Sequence, residues 1–153
     1  MFNINYDDLI TKEKIILDHL LKNSKYFSVI AIYCKPYSQM PPKFQNSIFT
    51  DKLNPFVNKY IFNRNEWPIQ NLSKSKHQVM ITYNCSKNLI GIMNEFPNVF
   101  LPIENGFPED MCFYRKEKPW FVTISHEKIA YMLNPAKSDI DFFLQNDIKF
   151  YNN

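Results

Sequence analysis

The sequence predicts an α+β fold, a mainly antiparallel sheet with helices packed on it, and three observations lead there. The run Tyr26-Phe27-Ser28-Val29-Ile30-Ala31-Ile32-Tyr33-Cys34 is β-branched and aromatic, lacks Pro and Gly, and is apolar on both parities, as a strand covered on two faces requires. Leu9, Ile16, Leu17, Leu20 and Leu21 recur with helical spacing just before it. Near the carboxy terminus two aromatic runs, Met111 to Arg115 and Trp120 to Ser125, flank a polar turn and read as a hairpin. Strands that follow one another through a turn, with helices before and after, favour α+β over a parallel βαβ plan.

In chain order, residues 7–21 form the first helix, with Asp7 and Asp8 in its first turn and Lys22 and Lys25 near its end, charges that suit the helix dipole. The strand over 26–34 follows. Pro36, Pro41 and Pro42 lie among polar residues and predict a long loop over 35–54. Asn54-Pro55 supplies a cap and a first-position proline for a short helix to about Asn63, with Phe56, Val57, Tyr60 and Ile61 on one face. His77 to Cys85 alternates, placing Val79, Ile81 and Tyr83 on one side of a second strand. Ser86 then caps a helix bearing Leu89, Ile90 and Met93 that ends before Pro97. Asn105-Gly106 is a tight-turn signal ahead of the hairpin. With Arg115 opposite Trp120, Met111, Phe113, Trp120, Val122 and Ile124 share the core face, and Cys112, Tyr114, Phe121, Thr123 and Ser125 share the other. Ile129 to Leu133 adds a strand, and Ser138 with Asp141 opens a last helix containing Ile140, Phe143 and Leu144.

The 153 residues suit one domain, 1–153, large enough to bury about two thirds of its unfolded surface without disulfides or metal. At 45% hydrophobic and 22% charged the chain is too apolar and too evenly charged for disorder, and it has no apolar run of membrane-spanning length. The acidic start, Tyr6-Asp7-Asp8, lacks the marks of a targeting segment, and the odd set Cys34, Cys85 and Cys112 suits reduced thiols, so a cytoplasmic address is expected. Two glycines cannot build a P-loop or a dinucleotide-binding turn, and no spacing of His and Cys presents paired metal ligands, so neither cofactor nor metal is expected. Residues 35–78 are basic and interleaved with aromatics, the composition of a nucleic-acid track. Arg64 is their only arginine, which argues against phosphate and base readout.

Gly106-Phe107-Pro108-Glu109-Asp110, the strand Cys112-Phe113-Tyr114-Arg115, Pro119-Trp120 and Ser125-His126-Glu127 together resemble a pattern in small uncharacterised proteins of low-GC Gram-positive bacteria, some with a sporulation-type label. The resemblance covers residues 100–133, about a fifth of the chain, and implies a source and a fold but no activity.

The residues with most chemistry are His126 and Glu127, with Glu109 opposite His126 in the expected register. A carboxylate there would orient the imidazole as a general base requires, giving a small hydrolase or transferase as one reading; a histidine bonded at a strand end is also an ordinary structural feature. Cys112, on the other face, makes no dyad with it. The leading expectation is a non-enzymatic protein-binding module, of the immunity or regulatory kind, with a protein as its partner. Tyr114 and Phe121 are expected as paired aromatic anchors, and Glu104 and Asp110, beside Glu109 in the acidic turn, as a second contact.

Overall fold

The computed structural model describes residues 1–32, 47–62, 66–68, 70–71, 78–100 and 109–152. The chain begins with β1 (Phe2–Ile4), α1 (Tyr6–Thr11) and α2 (Glu13–Lys22), then β2 (Tyr26–Ile32). After α3 (Ser47–Leu53) and a 3-10 turn (Asn54–Phe56) come β3 (Val57–Phe62), the short β4 (Glu66–Trp67) and β5 (Gln70–Asn71), β6 (Gln78–Asn84) and α4 (Lys87–Met93). The last part holds β7 (Glu109–Arg115), β8 (Lys118–Ile124), β9 (Ile129–Met132), α5 (Lys137–Gln145) and β10 (Phe150–Asn152). Eight strands of the described residues form one sheet in the order β10-β1-β9-β8-β7-β2-β6-β3, in which neighbouring strands run antiparallel; β4 and β5 pair separately. The fold is the expected α+β arrangement.

The central strand shows how the layers arise. Phe27, Val29 and Ala31 of β2 point to a core shared with Leu9 of α1, Ile16, Leu17 and Leu20 of α2, Phe49 of α3, Leu89 of α4 and Phe143 of α5, so the five helices of the described residues pack on one face. The intervening Ile30 joins Met80, Cys112, Tyr114 and Val122 in a smaller cluster on the opposite face, with Trp67 packed over it. Both faces of β2 are therefore buried, as its unbroken apolar pattern requires.

Several expectations are corrected. The first helix is two, because the chain bends at Lys12, whose ammonium group donates to the carbonyls of Asn146 and Asp147 at the end of α5, at 2.7 and 2.6 Å. The loop expected over 35–54 contains α3 at its end; residues 33–46 lie outside the described residues. Asn54-Pro55 starts a single 3-10 turn and not a helix to Asn63, because Val57 to Phe62 pair along β6 and the ladder outcompetes the helical pattern. Pairing also makes strands of the three-residue ends, β1 and β10, which carry too few residues for any periodicity. The Asn105-Gly106 turn lies outside the described residues. Ser86 caps α4 as expected, accepting from the Leu89 N–H at 3.2 Å.

The hairpin exists, but its register differs. Arg115 pairs with Lys118 and Tyr114 with Pro119, while Phe113 pairs with Phe121 and Cys112 with Val122, so Trp120 is an extra residue bulged out of β8. The turn is Lys116-Glu117 alone, with Lys116 in the left-handed region at φ 55°. A Cβ there costs roughly 1 kcal/mol, part of which glycine forfeits through its freer unfolded chain. Lys116→Gly is expected to raise the urea midpoint slightly; a lowered midpoint would show that the turn stores no such strain.

Candidate functional site

The bulge decides what the hairpin presents. It puts Trp120 and Phe121 together on the helical side, where Phe121 is fully buried with ring centroids 6.1 Å from Phe113, 6.2 Å from Trp120 and 6.4 Å from Phe143. Tyr114 lies on the opposite face beside Tyr26, centroids 5.1 Å apart, and is 9% exposed. The expected pairing of Tyr114 with Phe121 on one recognition face is thus corrected, as is the placing of Val122 with the main core. One extra residue swaps every side chain beyond it to the other face.

Asp110 is also displaced from the role expected of it. It sits at φ 50° in a second bulge, where Val29 pairs with Met111 but Ile30 with Glu109, and it is buried, its carboxylate accepting the Ser125 N–H at 2.7 Å. Its carboxylate holds the end of β8 and does not present an acidic surface. Glu104 lies outside the described residues, and of Glu109 only the backbone position, paired with Ile30, is described. His126 and Glu127 fall in a 3-10 turn after β8, not across the hairpin from Glu109. Their side chains are 51% and 47% exposed, and Nε2 of His126 stands 3.7 Å from Oε1 of Glu127. Cys112 is buried, and burial pushes the Cys85 thiol up to about 12, which holds it protonated near neutrality, a state unsuited to nucleophilic attack.

The densest polar cluster was not foreseen. Arg115 makes a fork to Asp139, Nη1 to Oδ2 at 2.6 Å and Nη2 to Oδ1 at 2.7 Å, while its guanidinium lies 3.8 Å over the Trp120 ring and its Nε donates to the Asn23 carbonyl. Asp139 also accepts the Ala136 N–H at 2.7 Å and lies 2.9 Å from Nε2 of His19, whose ring stacks on Phe142 at 3.8 Å. Burial pushes the Asp139 carboxyl up, but the bonds from Arg115, His19 and Ala136 outweigh it and hold the group far below the usual carboxylate range. The His19 ring is committed on one edge to Asp139 and has Asn23 at 3.3 Å on the other. The cluster ties α2, α5 and the hairpin together, and no edge of the imidazole is left for a substrate. The signal available for it was Arg115 itself, one of two arginines in a lysine-rich chain, the side chain a bidentate carboxylate contact needs.

Among the described residues, open space lies on both faces of the sheet. On the helical layer, a cleft of about 420 Å³ lined by Ile10, Glu13, Phe96, Pro97 and Asn98, among others, adjoins one of about 470 Å³ lined by Asp18, Asn94, Phe142 and Asn146, and both are bounded by Lys14 and Ile15. On the opposite face a smaller cleft of about 160 Å³ is lined by Tyr26, Ser28, Thr82, Tyr114 and Met80, with Lys59 and Glu117 at its edges. Among the described residues no group of three or more His, Cys, Asp or Glu is placed to hold a metal ion, and no helix is long and apolar enough to cross a membrane. Compared with known proteins, the chain matches no family model, no curated protein and no solved structure.

Proposed function

We propose that the protein is a non-enzymatic protein-binding module, acting by covering a partner's surface as immunity and regulatory proteins do, and that the partner seats in the groove on the helical layer. The observation that carries this reading is Ile15. Its neighbours Ile16 and Leu17 are at most 1% exposed, whereas Ile15 is 43% exposed at the junction of the two clefts. An apolar side chain there, between Phe96 and Pro97 on one side and Phe142 on the other and rimmed by Asn94, Asn98 and Asn146, has the make-up of an interface centre with a polar edge. Asp18 is paired with Lys22 at 2.6 Å, while Lys14 makes no ion pair among the described residues. The groove therefore suits an apolar side chain flanked by an acidic one, in keeping with a net charge of +3.

A photo-crosslinking residue at position 15, introduced in cells, is expected to capture one other protein in stoichiometric amount, and Ile15→Glu is expected to cut recovery by about tenfold or more with the unfolding midpoint unchanged. Crosslinks only to a second copy of the chain, or equal capture from exposed Lys22, would overturn the reading.

A further inference from the structure

We propose that the cleft on the outer face of the sheet binds a small zwitterion of amino-acid size, its carboxylate held by Lys59 and its ammonium group by Glu117. The site lies on the face opposite the groove around Ile15 and does not depend on it.

The sheet register builds this cleft. Lys59 of β3 pairs with Thr82 of β6, and Thr82 with Ser28 of β2, so the three stand abreast; Tyr26 and Tyr114, paired across β2 and β7, form an adjoining row. The Ser28 and Thr82 hydroxyls, 2.9 Å apart and both 1% exposed, form a polar floor on a face otherwise filled by Ile30, Met80, Cys112 and Val122. Their mutual bond uses one hydrogen and leaves a second, with spare lone pairs. At one end Lys59 is exposed and makes no hydrogen bond or ion pair among the described residues. At the other, Glu117 accepts the Tyr26 hydroxyl at 2.9 Å through Oε2, and Oε1 has no partner among the described residues. Burial and that carboxylate push the Tyr26 hydroxyl up to about 12, so it stays a neutral donor that fixes Glu117 in place.

The ligand class follows from the charges and the size. Lys59 and Glu117 form no ion pair with each other. Lys59 stands on β3 and Glu117 in the turn between β7 and β8, from where its carboxylate reaches back to the Tyr26 hydroxyl of β2, and both line the one cleft. An occupant with one charge answers one end and meets a like charge at the other, whereas one with both charges answers both. The volume of about 160 Å³ is close to that of a cavity that takes benzene and well below a drug-sized pocket, too small to enclose a nucleotide but with room for an amino acid with its side chain against the tyrosine rings.

The test is an amide-resolved NMR titration of the full chain with free amino acids of graded side-chain size, each beside its N-acetyl and carboxamide derivatives. At least one free amino acid is expected to give saturable shifts confined to residues 26–28, 80–82 and 114–117. Both blocked forms should weaken binding about tenfold or more, as should Lys59→Met and Glu117→Gln, while Lys59→Arg retains it. Lys59 and Glu117 are exposed, so the variants keep the fold, which the unchanged amide spectrum elsewhere verifies. No saturable shift with any free amino acid, or blocked derivatives that bind as well as the free ones, would overturn the proposal.

Discussion

Asp139→Asn is expected to destabilise the protein by about 3 kcal/mol at neutral pH, at the lower end of what breaking a buried ion pair costs because Arg115 keeps 29% of its side chain in water. The substitution preserves shape and removes charge, so the loss reports the contacts themselves. Asparagine keeps one acceptor oxygen and puts an amide donor in place of the other, so Arg115 loses its bidentate partner, and either His19 at the Oδ1 position or the Ala136 N–H at the Oδ2 position meets that donor instead of an acceptor. The pH dependence has a definite sign. A carboxyl whose folded value is lowered contributes stability that is full above its unfolded value, about 3.9, and drains away as pH falls toward the lowered folded value. The gap between wild type and Asp139→Asn in urea unfolding should accordingly be widest near neutrality and narrow below about pH 4. A gap independent of pH would show that the ionisation of Asp139 contributes nothing and that the loss comes from the misplaced amide hydrogen bonds alone.

Phe121→Ala is expected to cost about 3–5 kcal/mol, the range for emptying a buried aromatic site, and to lower the melting temperature by roughly 10 °C for a domain of this size. Phe121 is enclosed by Phe113, Trp120 and Phe143, and its strand is held on both sides by β7 and β9, so little collapse into the space is available. The measurement also decides the hairpin register. In the unbulged pairing Phe121 lies with Tyr114 in the smaller cluster on the outer face, so amide-resolved NMR of the variant would show its largest shifts at Ile30, Cys112 and Val122 instead of at Phe113 and Phe143.

How much of this was legible in the sequence depended on whether the determining contact was local. The two-faced burial of β2, the alternation of β6 and the Ser86 cap each arise within a few residues, and each is where the pattern puts it. The cap of α5 is a near miss: Ala136 and Asp139, three residues apart, occupy the places expected of Ser138 and Asp141, since any short acidic stretch offers more than one such spacing. The Trp120 bulge left no mark, because the hairpin is apolar on both parities and either register buries large side chains on both faces. Arg115 meets Asp139 from 24 residues away, and Asp139 meets His19 from 120; only the assembled sheet brings those elements together. The strand β3 read as a helix for the same reason, its identity being conferred by its neighbour β6.

The pairing of Phe2 with Asn152 and of Ile4 with Phe150 has a kinetic corollary. Residues 2–4 are synthesised well before both of their ladder neighbours, the strands over 129–132 and 150–152, which lie far along the chain from them. Until then its hydrogen-bonding groups must stay hydrated or find wrong company, and closing a loop of this length comes late in assembly. Native hydrogen exchange should find this margin opening separately from the more locally connected strands around Tyr26–Ile32, a seam along which the molecule comes undone first.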